Sequence, residues 1–253
     1  MIKSAFEKKW QDKYSEAAKE GREDYQISLW AKEGLDAYIK YFFIYFKPYI
    51  QKDNSKTLML DLGCGPGTFS RLLAQKGFLV HGIDYSPEVI EIAKKRTINE
   101  KVNYRVGDIY NLPFPDGFFD AIICLGVFQT VDNVKQALEE IESKLKPKGL
   151  LVFTALNHFS IFSFIARMFG RKKNFKPRRF SPYSFKNTLT KNGFFEDIKL
   201  KGMFFFPQNF SAFTQFIIKS KIYIFFNLFF PLFNFLSHSF YIETKKIEKN
   251  ETI

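Results

Sequence analysis

Residues 57–67 read Thr57-Leu58-Met59-Leu60-Asp61-Leu62-Gly63-Cys64-Gly65-Pro66-Gly67, and Thr68–Lys76 (TFSRLLAQK) follows without a break. An unbroken apolar run closed by a Gly-rich turn is the pattern of a strand buried on both faces. The segment after it has the composition of a helix, stopped by Gly77. Glycines at such a turn let the backbone bend tightly and approach a ligand with no Cβ in the way. The free N–H groups at the start of the following helix favour an electron-rich group nearby. Parallel α/β sheets hold their ligands at the carboxyl ends of strands, beside the point where strand order reverses.

The same alternation runs outward from this turn. Phe78–Ile83 reads as a second strand, and Ser86-Pro87 opens a helix with Ser86 as N-cap and Pro87 at the first position. Val102–Val106 is a short strand, Pro113–Gly117 a turn, and Phe119–Leu125 a further strand. Val131–Lys146 carries a helical stripe at Val134, Ala137, Leu138, Ile141 and Leu145, stopped by Pro147 and Gly149, and Leu150–Leu156 is the next strand. Strands separated by helices of this length imply right-handed βαβ units and a doubly wound, mostly parallel α/β sheet. Met1 to about Lys52 reads as helix, with Leu29, Trp30, Ala37, Tyr38, Tyr41, Phe42 and Tyr45 on its apolar side and Pro48 ending it. The chain divides into a helical cap (1–52), an α/β core (53–157) and a basic, Phe-rich region (158–253). In the last of these, Ser181–Asn192 reads as a helix, Phe194–Leu200 as a strand, and HSFYIETKK (238–246) as a strand that closes the sheet.

Three strand ends carry candidate binding groups. Asp84 ends the second strand, where a carboxylate can accept hydrogen bonds from both hydroxyls of a ribose. Asp108 follows the third strand, within reach of the edge of an adenine, and Leu125 ends the fourth beside the same crevice. These residues sit in three stretches: Leu60–Arg96 (LDLGCGPGTFSRLLAQKGFLVHGIDYSPEVIEIAKKR), Val106–Asn133 (VGDIYNLPFPDGFFDAIICLGVFQTVDN) and Leu145–Thr154 (LKPKGLLVFT). Together they resemble the class I S-adenosyl-L-methionine (SAM)-dependent methyltransferase family. RRFSPYSFKNTLTKNGFF (178–195) is similar to the helix and strand that follow in many small-molecule members. The resemblance implies a seven-stranded sheet whose last strand is antiparallel, with SAM as cofactor. It further implies that Gly63, Gly65 and Gly67 wrap the methionine part, with Asp61 supporting that end. Asp84 would then hold the ribose and Asp108 with Ile109 the adenine. The N-terminal helices would cover the cofactor, with Trp10, Tyr14, Tyr25 and Trp30 as lid residues.

For methyl transfer, the candidates facing the methyl group are Gln129, His158 and Tyr14. Many relatives carry a histidine near the position of Gln129, and this chain departs from that pattern. His81 lies inside a strand and reads as a core histidine, and His238 as structural.

The formal charge of +12 is unevenly placed. Residues 1–150 hold 22 Lys/Arg against 21 Asp/Glu, whereas residues 151–253 hold 16 against 5 and 23 of the 33 Phe. Basic charge beside aromatic surface, in residues 159–179 and 203–236, predicts contact with an anionic membrane and an apolar or lipid-linked small-molecule acceptor. A solvated basic loop and a nucleic-acid surface are the weaker alternatives. Ile222–Ile242 is uncharged, but Asn227, Pro231, Asn234 and His238 make it a poor span. The charged N-terminus has no apolar core of a secretory signal, and two cysteines, Cys64 and Cys124, make no disulfide framework or metal cluster. A cytoplasmic protein, peripheral at the inner membrane face, is expected. The rival functions are an NAD(P)-dependent oxidoreductase, a non-catalytic membrane-associated module and an RNA methyltransferase. The spacing Gly63-x-Gly65-x-Gly67 differs from the dinucleotide fingerprint, which counts against the first.

Overall fold

The computed structural model describes residues 4–20, 23–30, 32–51, 53–160, 176–191, 193–203 and 237–248. The basic and Phe-rich stretches at 161–175 and 204–236, on which the membrane expectation mainly rests, lie outside the described residues.

Seven strands form one sheet: β1 (Leu58–Leu62), β2 (Leu79–Asp84), β3 (Val102–Val106), β4 (Phe119–Leu125), β5 (Leu145–Leu156), β6 (Phe195–Met203) and β7 (Ser239–Lys246). Their spatial order is β3-β2-β1-β4-β5-β7-β6. The first five run parallel, and β7 is antiparallel to both β5 and β6. The sheet is therefore mixed, as the family resemblance implied. The chain steps outward from β1 through β2 to β3, then returns to the other side of β1 as β4. The reversal lies between β1 and β4, whose carboxyl ends open side by side.

Alternation along each strand divides the core into two layers. Met59 of β1, Ala121 and Ile123 of β4 and Val152 of β5 face helix α3 (Lys32–Phe46) and helix α4 (Thr68–Gln75), meeting Tyr41, Phe42, Phe46 and Leu73. Leu60, Leu62, Ile122, Leu151 and Phe153 face the other way. They pack on Leu138 and Ile141 of α6 (Val134–Lys144) and on Phe185 and Leu189 of α7 (Pro182–Lys191). Further along the sheet, α5 (Pro87–Lys95) packs Ile90 and Ala93 on Tyr104 of β3. Burial on both faces is why these strands read as unbroken apolar runs rather than as alternating ones.

Two expectations are corrected. The N-terminal region is three helices, α1 (Ala5–Lys19), α2 (Asp24–Ile27) and α3, followed by a 3₁₀ turn at Lys47–Tyr49 around Pro48. New caps cause the breaks: Ser4 and Glu7 form a capping box on α1, Glu23 and Gln26 one on α2, and Leu29 turns the chain in the left-handed region at φ 59°. The helix expected to run to Lys146 stops at Lys144, and β5 begins at Leu145 rather than Leu150. Pro147 forces Lys146 out of the helical region. Leu145 meanwhile pairs with Phe119 and is fully buried, with a register shift and a left-handed Lys148 absorbing the irregularity.

Phe153 is fully buried, with ring centroids 5.1 Å from Phe128 and 5.0 Å from Phe185. Phe153→Ala should therefore lower unfolding stability by about 3–5 kcal/mol in urea titration. A loss below about 1 kcal/mol would mean that the neighbouring rings collapse into the space.

Candidate active site

The glycine turn is built against the end of β2. Leu62 pairs with Ile83, and the Ile83 carbonyl accepts both the Gly63 N–H (2.7 Å) and the Cys64 N–H (3.0 Å), folding the loop back over the strand ends. Gly63, Gly65 and Gly67 all lie in the left-handed region, at φ 73°, 54° and 84°. At Gly63 a Cβ would stand 2.2 Å from Cγ2 of Val127, so only glycine lets the turn and the β4 loop meet. Next to the turn, Asp84 is buried. Its Oδ2 accepts the Gly65 N–H (3.1 Å) and its Oδ1 the Ser86 N–H (3.0 Å), which fixes both carboxylate oxygens.

Two cavities flank this carboxylate. The first, about 800 Å³ and open to solvent, runs along the glycine turn and is walled by Tyr14, Trp30, Tyr38, Phe69, Leu125 and Gln129. The second, about 460 Å³, lies over Leu62, Ile83, Asp108, Ile109 and Val131, with Glu7 and Tyr110 at its side. Gly63, Asp84, Tyr85, Val127 and Thr130 line both, so they form one crevice with Asp84 at its seam.

Residues 60–153 match the family described as the methyltransferase domain. Over that stretch the chain is similar to methyltransferase domains. A demethylmenaquinone methyltransferase of Tropheryma whipplei is 38% identical over 103 residues, 40% of this chain and 42% of the relative. A ubiquinone biosynthesis O-methyltransferase of Rickettsia felis is 36% identical over 107 residues, 42% of this chain and 43% of the relative. The chain thus aligns with less than half the length of these curated relatives. A crystal structure of a SAM-dependent methyltransferase from Archaeoglobus fulgidus superposes with a TM-score of 0.57 at 20% identity, covering 83% of this chain and 93% of that one, a likeness of fold.

The crevice fits SAM. A turn with no room for side chains, a fixed carboxylate at the seam and a largely apolar slot beyond it match an amino-acid end, a ribose and a flat base in that order. The structure brings Gly63, Gly65, Asp84, Asp108, Ile109 and Leu125 to this crevice, together with Tyr14, Trp30 and Gln129. Asp108 is shaped by its own turn, accepting the Tyr110 N–H at 3.0 Å. Gly67 caps α4. Asp61 lies underneath, 2% exposed, and accepts the Ser70 hydroxyl at 2.6 Å. Trp10 is buried behind Tyr14 (centroids 5.9 Å apart), and Tyr25 packs at the margin of the α3 core. His158 is exposed, lies edge-on to Phe159 and lines neither cavity. His81 sits edge-on among Phe114, Phe118 and Phe119, as a packed histidine does. His238 is held between strand ends, its N–H donating to the Met203 carbonyl (3.1 Å), and burial lowers its imidazole to about 4.

Sequence reasoning missed Glu7, Phe69, Tyr85, Tyr110 and Thr130 as lining residues and took Tyr38 for core. Tyr85 and Tyr110 follow the two aspartates closely and had a local signal. Glu7 and Tyr38 reach the site only through tertiary packing.

Burial, partly offset by the Ser70 hydrogen bond and reinforced by the charge of Asp84, pushes the Asp61 carboxyl up to about 7. The folded chain keeps this proton up to about 7, whereas the unfolded chain loses it near 4. The stability tied to the protonated form is thus complete below about pH 4 and is lost as pH rises to about 7. Asp61→Asn should raise the ligand-free melting temperature at pH 8 and have little effect near pH 4. A difference that does not vary with pH would contradict the burial argument.

Proposed function

We propose that the protein is a SAM-dependent methyltransferase that moves a methyl group to a small, apolar or lipid-linked acceptor by in-line displacement. The observation that carries this reading is the meeting of the glycine turn and the Asp84 carboxylate at the reversal of strand order, with an aromatic-walled cavity on one side. When bound, SAM supplies a methyl group made electrophilic by its sulfonium.

The protein's own contribution is position and exclusion of water. Backbone free of Cβ atoms at Gly63 and Gly65 admits close approach, and Asp84 offers two fixed acceptor oxygens. Tyr14, Trp30, Tyr38 and Phe69 form an aromatic wall that keeps solvent from the reacting centre. The end of β4 is braced: the Thr154 hydroxyl accepts the Gly126 N–H at 2.9 Å and bonds the Tyr38 hydroxyl, holding Leu125 at the cavity. Burial, with Asp84 adding to it, drives the Tyr14 phenol well up, so at neutral pH it is a hydrogen-bond donor rather than a base. Among the described residues lining the crevice there is no histidine or lysine, and residues 161–175 and 204–236 contain no His, Asp or Glu in sequence. The rate is accordingly assigned to alignment in a dry pocket more than to general-base chemistry.

The acceptor class draws on the aromatic wall and on two relatives whose names refer to menaquinone and ubiquinone. The basic, Phe-rich sequence of 159–179 and 203–236 supports a cytoplasmic protein attached peripherally to an anionic membrane, close to such an acceptor. Arg178 is outside that role: it pairs with Asp132 and stacks 5.0 Å over the Phe6 ring.

Calorimetric titration should show micromolar binding of SAM and S-adenosylhomocysteine to the wild type. Asp84→Ala should weaken both by about 100-fold, the order expected for hydrogen bonds to a buried charge. No binding to the wild type would overturn the cofactor and the function together. In co-sedimentation, vesicles containing phosphatidylglycerol should capture the protein and pure phosphatidylcholine vesicles should not, with capture falling as salt rises. Equal recovery with both would remove the membrane part of the proposal.

A further inference from the structure

The N-terminal cap delivers one charged side chain to the second cavity. Glu7, in the first turn of α1, stands beside an apolar slot walled by Leu62, Ile83, Ile109 and Val131. Its Oε1 accepts the Tyr110 hydroxyl at 2.5 Å and the Asp132 N–H at 2.9 Å, while its Oε2 meets the Ser4 N–H at 3.4 Å. The Tyr110 N–H in turn donates to Asp108 Oδ1 at 3.0 Å. Tyr110 therefore stands between two carboxylates, one from the strand end and one from the cap, that border the same cavity. The Glu7 side is fixed from behind, because Asp132 also bonds the Ser4 hydroxyl and the Arg178 guanidinium.

Ionised carboxylates accept hydrogen bonds and cannot donate them. Two of them, held beside a largely apolar slot at the end away from Asp84, suit a flat ligand whose edge carries an N–H donor. An oxo group in the same place would face acceptors with nothing between, and sites built for one hydrogen-bonding pattern reject the opposite one strongly. We propose that Glu7 is a specificity residue for the cofactor's base, which with Asp108 selects the amino-bearing edge of adenine over the oxo-bearing edge of hypoxanthine. The inference rests on the SAM reading above and gives the α1 cap a recognition role as well as a covering one.

The test compares S-adenosylhomocysteine with S-inosylhomocysteine, in which the amino group is replaced by an oxo group, by calorimetry on the wild type, Glu7→Gln and Ser4→Ala. Glutamine preserves the capping box on α1 but adds a donor. The wild type should prefer the adenosyl compound by about 100-fold, and Glu7→Gln should narrow that preference by about tenfold or more. Ser4→Ala loosens the cap while leaving the carboxylate in place, and should weaken both ligands alike. An unchanged preference in Glu7→Gln would reduce Glu7 to a docking contact and overturn the inference. So would a wild type that binds both compounds equally, with the cofactor reading left standing. A wild type that binds neither would remove the cofactor reading itself. If Glu7→Gln does not fold by circular dichroism, Glu7→Asp, which retracts the carboxylate, should lower the preference in the same direction, and an unchanged preference there would equally overturn the inference.

Discussion

Asp84 is a buried carboxylate at the point where the strand order reverses, and its two oxygens are held by the N–H groups of Gly65 and Ser86. Much of the structure follows from satisfying that charge. The Gly65 N–H can point at it only if the backbone turns left-handed, which places glycine at the turn. The Ser86 N–H comes free because Ser86 caps α5 and Pro87 has no N–H to satisfy. A buried carboxylate without such partners would be protonated or would unfold its surroundings. Asp61, two residues before the turn, shows the contrast. Its described partner is Ser70, through the hydroxyl and the backbone, and burial with the charge of Asp84 nearby raises its carboxyl to about 7. Two aspartates 23 positions apart thus meet different backbone: Asp84 accepts the N–H groups of Gly65 and Ser86, whereas Asp61 lies against Ser70.

The sheet separates support from chemistry by its own period. Along β1, Leu60 and Leu62 turn to the α6 and α7 layer, whereas Met59 faces the α3 layer and Asp61 alternates with the leucines. At β5, Phe153 is core on one side, and Thr154, the next residue, meets the Tyr38 hydroxyl on the other. The aromatic richness of α3 then has two uses. Phe42 and Phe46 stack at 5.0 Å inside the core, while Tyr38 lies one turn closer to the crevice and keeps its hydroxyl bonded.

The glycine turn, Asp84 and Asp108 were legible in sequence because their placement depends on local geometry: a strand end, a tight turn and a helix start, all within a few residues. Leu125 was legible for the same reason. The β5 start was not, since Leu145 continued a helical stripe, and only its pairing with Phe119 and the Pro147 restriction decide against the helix. His158 was placed by position alone. It does follow β5, but its N–H bonds the Phe180 carbonyl and the ring is exposed. Glu7 sits 101 positions from Asp108, and no periodicity in α1 marks it off from the other charges there. A contact set by how a helix docks cannot be read from that helix.

Docking of the cap uses charge at both ends. At one end, Asp24 of α2 accepts the Thr68 hydroxyl at 2.6 Å and pairs with Arg71 and Arg96, tying the cap to the helix that begins at the glycine turn. At the other, Asp132 joins Ser4 of α1 to Arg178, whose N–H also reaches the Gln129 carbonyl at 2.9 Å. Such pairs are about 20–40% exposed and contribute modestly to stability when taken singly. Their value is geometric, since each is a carboxylate shared by more than one chain segment. A cap held by apolar packing alone could slide over the sheet at little cost. One pinned at Asp24 and at Asp132 keeps Tyr14 and Trp30 over the first cavity and Glu7 over the second. Arg178 ties the segment ahead of α7 to the same frame, through Asp132 and the Gln129 carbonyl.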